Sequence, residues 1–389
     1  MLNLAKTYSL SIRALRVSLS LALCLCALAG CSRFRHHSSE TVWVSARQTY
    51  LRDRVAAVSN HTGTVTNGEA LTVLEHGKRF LRVQTPKNEI GWIEEHMVIN
   101  ARAHAAFDQL AADHKADPAA ATATLRDELY MHVAPGIDAD RYYLLAANAK
   151  VELIERASIT KTPPPTQSLA ALAQPTTAAP GKKTAAPAPQ AKPPALPPVY
   201  EDWWLARDDQ GRTGWLLAGR VDVDVPREIE EYGEGQRFIG AWPIGTVDDP
   251  KSDLPNHQVP EYLALMAPPQ SGLPFDFNQV RVFTWNRVHH RYETGFRLHP
   301  IQGFLPVKVF TEDTPAGKVP AFSFLIPSGA NVVTDPKTGS VRPASPRTIQ
   351  FEVIDTRVKR AGTDTGPIPT LHEESPAKKA AASAKKNHK

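Results

Sequence analysis

Beyond residue 31 this chain has no cysteine: its three thiols are Cys24, Cys26 and Cys31. That excludes an internal disulfide, and a cysteine nucleophile, from everything downstream. The apolar run from Val17 to Ala29 is about 13 residues, too short for the ~20 that a membrane-spanning helix needs. Helical periodicity is scarce. Its best case is "NARAHAAFDQLAADHKAD", where Ala103, Phe107, Leu110 and Ala111 share one face before Pro118. Catalytic signatures are missing as well. There is no HExxH and no serine-hydrolase motif, and "GEGQRFIG" lacks the lysine and the strand-loop-helix setting of a phosphate loop.

What is present starts at the N-terminus. Lys6, Arg13 and Arg16 precede the apolar run, which closes on small residues, the layout of an export signal. Its last residues, Leu28-Ala29-Gly30-Cys31, resemble the bacterial lipobox. The resemblance implies cleavage before Cys31 and acylation of that cysteine. Cys24 and Cys26 are then discarded rather than used as a metal pair, since they lie in an apolar segment with no histidine nearby. Two or three acyl chains, at about 0.8 kcal/mol per buried CH2, hold a protein on a membrane stably. Ser32 after the cysteine favours the outer membrane over the inner.

The net charge is +5, unevenly spread. "PAKKAAASAKKNHK" at the C-terminus carries lysines and no acid, while "REIEEYGEGQ" is acidic. The proline- and alanine-rich run from Thr160 to Pro198, and the tail from about Ala361, have the composition of disordered chain. Elsewhere short alternating runs, such as Arg79-Phe80-Leu81-Arg82-Val83, are bounded by turn residues and read as strands.

An internal repeat organises the first half of the chain. "FLRVQTPKNEIGWIEEHMV" (Phe80 to Val98) aligns without a gap on "WWLARDDQGRTGWLLAGRV" (Trp203 to Val221), and Leu71-Thr72-Val73-Leu74-Glu75 matches Val151-Glu152-Leu153-Ile154-Glu155. The shared order of strands, with a Gly-Trp step at Gly91-Trp92 and Gly214-Trp215, resembles the bacterial SH3 domain (SH3b), a small five-stranded barrel. The resemblance implies binding of cell-wall peptides or other peptides. If the alignment holds, Ile154 and Trp203 lie on consecutive strands, and residues 160–198 are a loop inserted into the second module. Loop enlargement costs only about 0.6 kcal/mol per doubling.

The glycines are expected to permit a tight turn into the strand, with Trp92 and Trp215 as apolar plates for small cores. Trp203 and Trp204 are adjacent and point to opposite faces of a strand. One is core and the other is free to be surface, which makes Trp204 the better contact for a ligand than Trp92 or Trp215.

From Pro226 to about Lys359 seven strand candidates, the last running from Thr348 to Val358, and no helix imply a β-sandwich or barrel. "FTWNRVHHRYETGFRL" reads as a hairpin turning at Asn286 to His290. His289, His290 and His299 are the one histidine cluster worth weighing for a metal, and a solvated turn explains them as well. Asp276, Glu293 and Glu261 are carboxylates of the kind a glycosidase pairs, as any domain of this size would offer.

The expected fold is therefore mainly β: two small SH3-like barrels plus a C-terminal β-sandwich or barrel domain, one short helical linker and disordered segments. The divisions fall at a signal peptide (1–30), a tether (31–41), the first barrel (42–100), a helical linker (101–124) and the second barrel (125–225, insertion 160–198). A C-terminal β domain (227–359) and a lysine-rich tail (360–389) follow. The expected function is non-catalytic: a lipoprotein lipidated at Cys31, without metal or cofactor, that binds peptidoglycan or a peptide or protein partner, and not nucleic acid. Two alternatives stay open, an adaptor subunit of an envelope assembly or export complex, and an envelope hydrolase with its site in the C-terminal domain. The oligomeric state is not set by these features.

Overall fold

The computed structural model describes residues 40–161 and 198–371, apart from 57, 315, 316, 330 and 355. The signal segment, Cys31, the stretch 162–197 and the chain from 372 onward lie outside the described residues. The first barrel holds β1 (Thr41–Val44), β2 (Gln48–Arg52), β3 (His61–Thr66), β4 (Ala70–His76), β5 (Phe80–Gln84), β6 (Ile90–Glu94) and β7 (Val98–Asn100). The second holds β8 (Ala121–Leu125), β9 (Leu129–His132), β10 (Arg141–Leu145), β11 (Lys150–Thr160), β12 (Tyr200–Arg207), β13 (Thr213–Leu217) and β14 (Val221–Val223). Their sheet orders, β3-β2-β6-β5-β4-β1-β7 and β10-β9-β13-β12-β11-β8-β14, match strand for strand.

The match extends to irregularities. Each barrel breaks register at the same place in the repeat, between Val73 and Glu75 in one and between Leu153 and Glu155 in the other. Leu74 and Ile154 are thus the extra residues of equivalent bulges. Each also turns into its fourth strand through a left-handed residue, Gly68 (φ 88°) or Asn148 (φ 63°), the two residue types that tolerate that conformation best. The Gly-Trp glycines are required by a close strand crossing rather than by a turn. A Cβ on Gly91 would lie 2.7 Å from Leu51 Cβ, and one on Gly214 would lie 2.6 Å from Met131 Cβ. At these points β2 crosses β6, and β9 crosses β13, with no room for a side chain.

β11 and β12 pair from Glu152↔Arg207 to Thr160↔Tyr200, and the Lys161 amide donates to the Val199 carbonyl at 2.7 Å. The stretch between them therefore leaves and rejoins one sheet at one point, as the alignment requires. The second barrel begins at β8, a few residues before the expected boundary at 125, so the linker between the barrels is shorter than 101–124.

That linker is α1 (Ala101–Asp113), capped by the Asn100 side chain, which accepts from the Ala103 amide at 2.9 Å. Its apolar face buries Ala103 and Phe107. His104 stacks on Trp43 of the first barrel at 4.1 Å, and Phe107 meets Tyr143 of the second edge-on at 5.5 Å. Asn67 joins the barrels directly, donating to the Tyr142 carbonyl (2.8 Å) and accepting from the Leu144 amide (3.2 Å).

The C-terminal region opens with a one-turn helix, α2 (Arg227–Glu230). Its strands are β15 (Arg237–Asp248), β16 (Gln258–Ala267), β17 (Gln279–Asn286), β18 (Arg291–Leu298), β19 (Phe304–Thr314), β20 (Gly317–Pro327), β21 (Val332–Thr334), β22 (Val341–Pro343), β23 (Pro346–Ile354) and β24 (Arg357–Ala361). Two four-stranded antiparallel sheets, β15-β16-β17-β18 and β19-β20-β23-β24, pack as a sandwich through residues such as Val282, Phe296, Phe322 and Phe351. The hairpin turn falls at 287–290 as read from sequence.

Two expectations are corrected. The single strand expected over Thr348 to Val358 is a hairpin, because Thr356 takes a left-handed turn (φ 63°). The tail expected to leave the fold near 360 stays in it to residue 371. Arg347 and Arg360 bind Asp364 at 2.7 and 3.3 Å, and the Leu371 amide donates to the Pro300 carbonyl at 2.9 Å. Composition misled here because a lone acid among polar residues is enough when two arginines converge on it.

The sandwich is tied to the second barrel by a buried charge network. Arg156 donates to Asp276 (3.2 Å) and to the Leu273 and Phe275 carbonyls (2.9 and 2.5 Å). Asp202 accepts from Ser158, Arg237 (2.8 Å) and the Gly272 amide (3.0 Å). Burial alone would push the Asp202 pKa up, but Arg156, Ser158 and Arg237 outweigh it and hold the group ionised; burial wins at Asp276, whose pKa is raised.

Candidate functional site

The four tryptophans singled out by sequence fall into three environments. Trp204 is 4% exposed, in one buried cluster with Met131, Leu145, Leu153 and Leu216, and only borders the cleft toward the sandwich. This overturns its expected role as a surface contact. The reason is volume exchange between the repeats: where the first barrel has Leu81, Val83 and Val42, the second has Trp204, Ala206 and Ala123. One large ring and two small residues fill the same space.

Trp203 and Trp215 point outward from the second barrel, as alternation with Trp204 requires, yet they are 1% and 2% exposed. They belong to a second cluster with Ile154, Ala157 and Leu205, against which Leu110 of α1 packs. The outer face of this barrel is covered, and Trp203 is no more free than Trp204. Trp215 is apolar filling, but outside the barrel rather than within it.

Trp92 is different. It lies on the outer face of the first barrel and takes no part in that barrel's core, which is Val42, Val44, Leu51, Val65, Leu71, Leu81, Val83 and Ile93. The expectation that it fills the core is therefore overturned as well. Gly91 and Ile93 face inward and are buried, so Trp92 between them faces out and is half-buried. Its indole passes close over Gly77, where a Cβ would lie 3.2 Å from the ring.

Around Trp92 the outer face is a row across four strands. Arg82 on β5 and Arg52 on β2 are its cross-strand partners, and Leu74 protrudes at the β4 bulge beyond Arg82. Leu74 is 46% exposed, against 8% for its counterpart Ile154. Neither arginine is firmly neutralised: Arg52 is 3.7 Å from Glu94, and Arg82 is 3.6 Å from Glu75. Exposed pairs of that kind contribute little to stability. Beside the row, exposed Tyr50 stacks flat on His61 at 4.2 Å. The same positions in the second barrel hold Tyr130 under Arg141 at 4.7 Å. The sequence signal for this row was the Gly-Trp step; which of its two copies stays open was not visible there.

Two concavities flank the second barrel. One cleft of about 1120 Å3 separates it from the sandwich and is lined by acids, but those on its barrel side carry their own cations. Arg126 binds Asp222 at 2.5 Å, and Lys150 binds Asp224 at 2.8 Å. A smaller cavity of about 380 Å3 lies over Ile154, Pro306 and Pro343.

The histidines and carboxylates considered for chemistry are dispersed. His290 binds Asp249 at 2.8 Å, His289 faces Glu293 at 3.5 Å, and His299 approaches Asn278 at 3.5 Å. The Trp285 indole N–H at 2.7 Å and His290 hold the Asp249 pKa down to about 2. Asp276 is taken up by Arg156 and the Leu305 amide, Glu293 is bonded by Asn286 and Arg291, and burial pushes Glu261 up. Among the described residues no group of three or more His, Cys, Asp or Glu is placed to share a metal ion. No helix among them is long and apolar enough to cross a membrane.

No family model and no curated protein matches the chain. Among solved structures it is similar to NlpC2 from Trichomonas vaginalis, at 10% identity and a TM-score of 0.14, over 78% of this chain and 97% of that one. A likeness of that size carries no argument.

Proposed function

We propose that this chain is a lipid-anchored protein of the bacterial envelope that acts by binding rather than by catalysis, with two SH3b-like modules of unequal role. The lipobox-like Leu28-Ala29-Gly30-Cys31 supports the anchor, with lipidation at Cys31. The observation that carries the binding role is the open row Leu74-Arg82-Trp92-Arg52 on the first barrel, set against the buried equivalent on the second. The first module is the binding one. The second, covered by α1 and clamped to the sandwich through Arg156, is a structural mount. The ligand class is peptidoglycan or an envelope protein that offers a peptide surface.

The test is co-sedimentation of the soluble chain beginning at Ser32 with purified sacculi, at low and physiological salt, beside Trp92→Ala. Retention that survives salt and falls with Trp92→Ala supports a wall-binding face. Retention that ignores Trp92 and vanishes with salt reduces the interaction to charge. Absence of retention moves the assignment to the adaptor role, where the partner is a protein.

A further inference from the structure

The second barrel shows what this kind of face accepts. α1 crosses its strands in succession: Phe107 meets Tyr143 on β10, and Leu110 packs into the cluster of Trp215 on β13 and Leu205 on β12. At the far end Arg207 of β12 donates to the carbonyls of His114 (3.1 Å), Lys115 (3.0 Å) and Asp117 (3.0 Å). The chain thus presents a helix laid over β10, β13 and β12, with Leu110 against the Trp215 cluster. The first barrel repeats that surface across β3, β2, β6 and β5, with the same bulge and the same tyrosine, and no described segment lies on it.

From this pairing we infer that the open face of the first barrel docks an amphipathic helix of a partner protein, with an apolar residue over Trp92 flanked by acidic side chains. The inference rests on the binding role proposed above and specifies its ligand. The acidic flanks follow from the substitutions between the twin rows. Where the covered face has Leu205 and His132 on either side of Trp215, the open face has Arg82 and Arg52 on either side of Trp92. Two strand spacings of about 4.8 Å place the arginines roughly 10 Å apart. Seven helical residues at about 1.5 Å each cover the same distance. A helix crossing as α1 does meets both arginines with acids at i and i+7, and Trp92 with an apolar residue at i+3 or i+4. A sheet face offers side chains rather than free backbone groups, so an added strand has nothing to pair with here.

The experiment is selection from a displayed library of amphipathic helical peptides on the soluble chain beginning at Ser32, counter-selected on Trp92→Ala. The recovered helices are expected to carry the acid-apolar-acid spacing. Their binding should fall about tenfold with Trp92→Ala, the scale of losing one central aromatic contact. Repeating the selection on the double variant Arg52→Glu, Arg82→Glu should recover lysine or arginine at the same two positions. Circular dichroism and denaturant unfolding check that both variants are folded; being on an outer face, both should be. Recovery of no helix above the counter-selection, of extended proline-rich peptides, or of helices indifferent to the charge reversal overturns the inference. Trp92-dependent retention on sacculi together with a failed helix selection leaves the wall-binding role standing and removes only the helix. Failure of both removes both.

Discussion

In the second barrel the row Ile154, Leu205, Trp215 and His132 is buried; in the first, the equivalent Leu74, Arg82, Trp92 and Arg52 reach solvent. The two interiors obey the same plan. Leu51 corresponds to Met131, Leu71 to Val151 and Ile93 to Leu216, and all are buried. Repetition has therefore preserved the inside of each barrel and its strand crossings, while the outside has adapted to whatever lies against it. A helix and a sandwich lie against the second barrel, and its outer residues became apolar. In the first, α1 and the second barrel lie to one side, at Trp43 and Asn67, and the row left clear of them carries arginines.

The sharpest test of this contrast is the tryptophan pair. Trp215→Ala should cost about 3–5 kcal/mol in denaturant unfolding, as for a large buried aromatic, whereas Trp92→Ala should cost about 1 kcal/mol or less. Equal losses would mean that the first face is also covered. The glycines probe what the barrels share. Gly91→Ala and Gly214→Ala should each destabilise by about 1–3 kcal/mol, because both force a Cβ against a crossing strand. A large difference between them would break the equivalence of the crossings.

A pH dependence should separate the barrels next. Burial lowers the His132 pKa and Arg141 adds to the shift, against the opposing bond of its Nδ1 to the Ala139 carbonyl at 3.1 Å. The unfolded state then takes up the proton first. The contribution of neutral His132 is complete above its ordinary pKa of about 6.5 and is lost as pH falls from there toward the lower folded value. Unfolding midpoints measured from neutral to mildly acidic pH should decline, and His132→Gln should flatten that decline. The equivalent position in the first barrel holds Arg52 rather than a buried histidine, so Arg52→Gln should leave the slope unchanged. The smallest effect on stability is expected from Arg82→Leu, which gives the first barrel the residue type of Leu205. Stability should stay within about 0.5 kcal/mol. Sedimentation velocity should nevertheless show self-association through the enlarged apolar face.

Much of the architecture is legible in the sequence. The gapless alignment around the two Gly-Trp steps located both barrels and made residues 160–198 an insertion between two consecutive strands of the second. The helix followed from the spacing of Ala103, Phe107 and Leu110. The site was only half legible. Strand alternation states that Trp203 and Trp204 face opposite ways, and that is so. It cannot state that both faces of β12 are covered, because the cover comes from Leu110 on α1 and from the clamp of Arg156 on Asp276.

By itself, the sequence determined the repeated strand order, the paired Gly-Trp steps, and the alternation that sets Trp203 and Trp204 on opposite faces. These are local demands of backbone geometry and of alternating polarity, and each can be read within a few residues. Only the tertiary structure decided which outer face stays open, that Trp204 fills a core, and that Asp364 holds the last described residues in the sandwich. Those outcomes depend on contacts between elements far apart in the chain, and burial belongs to the assembled neighbours of a residue rather than to its type.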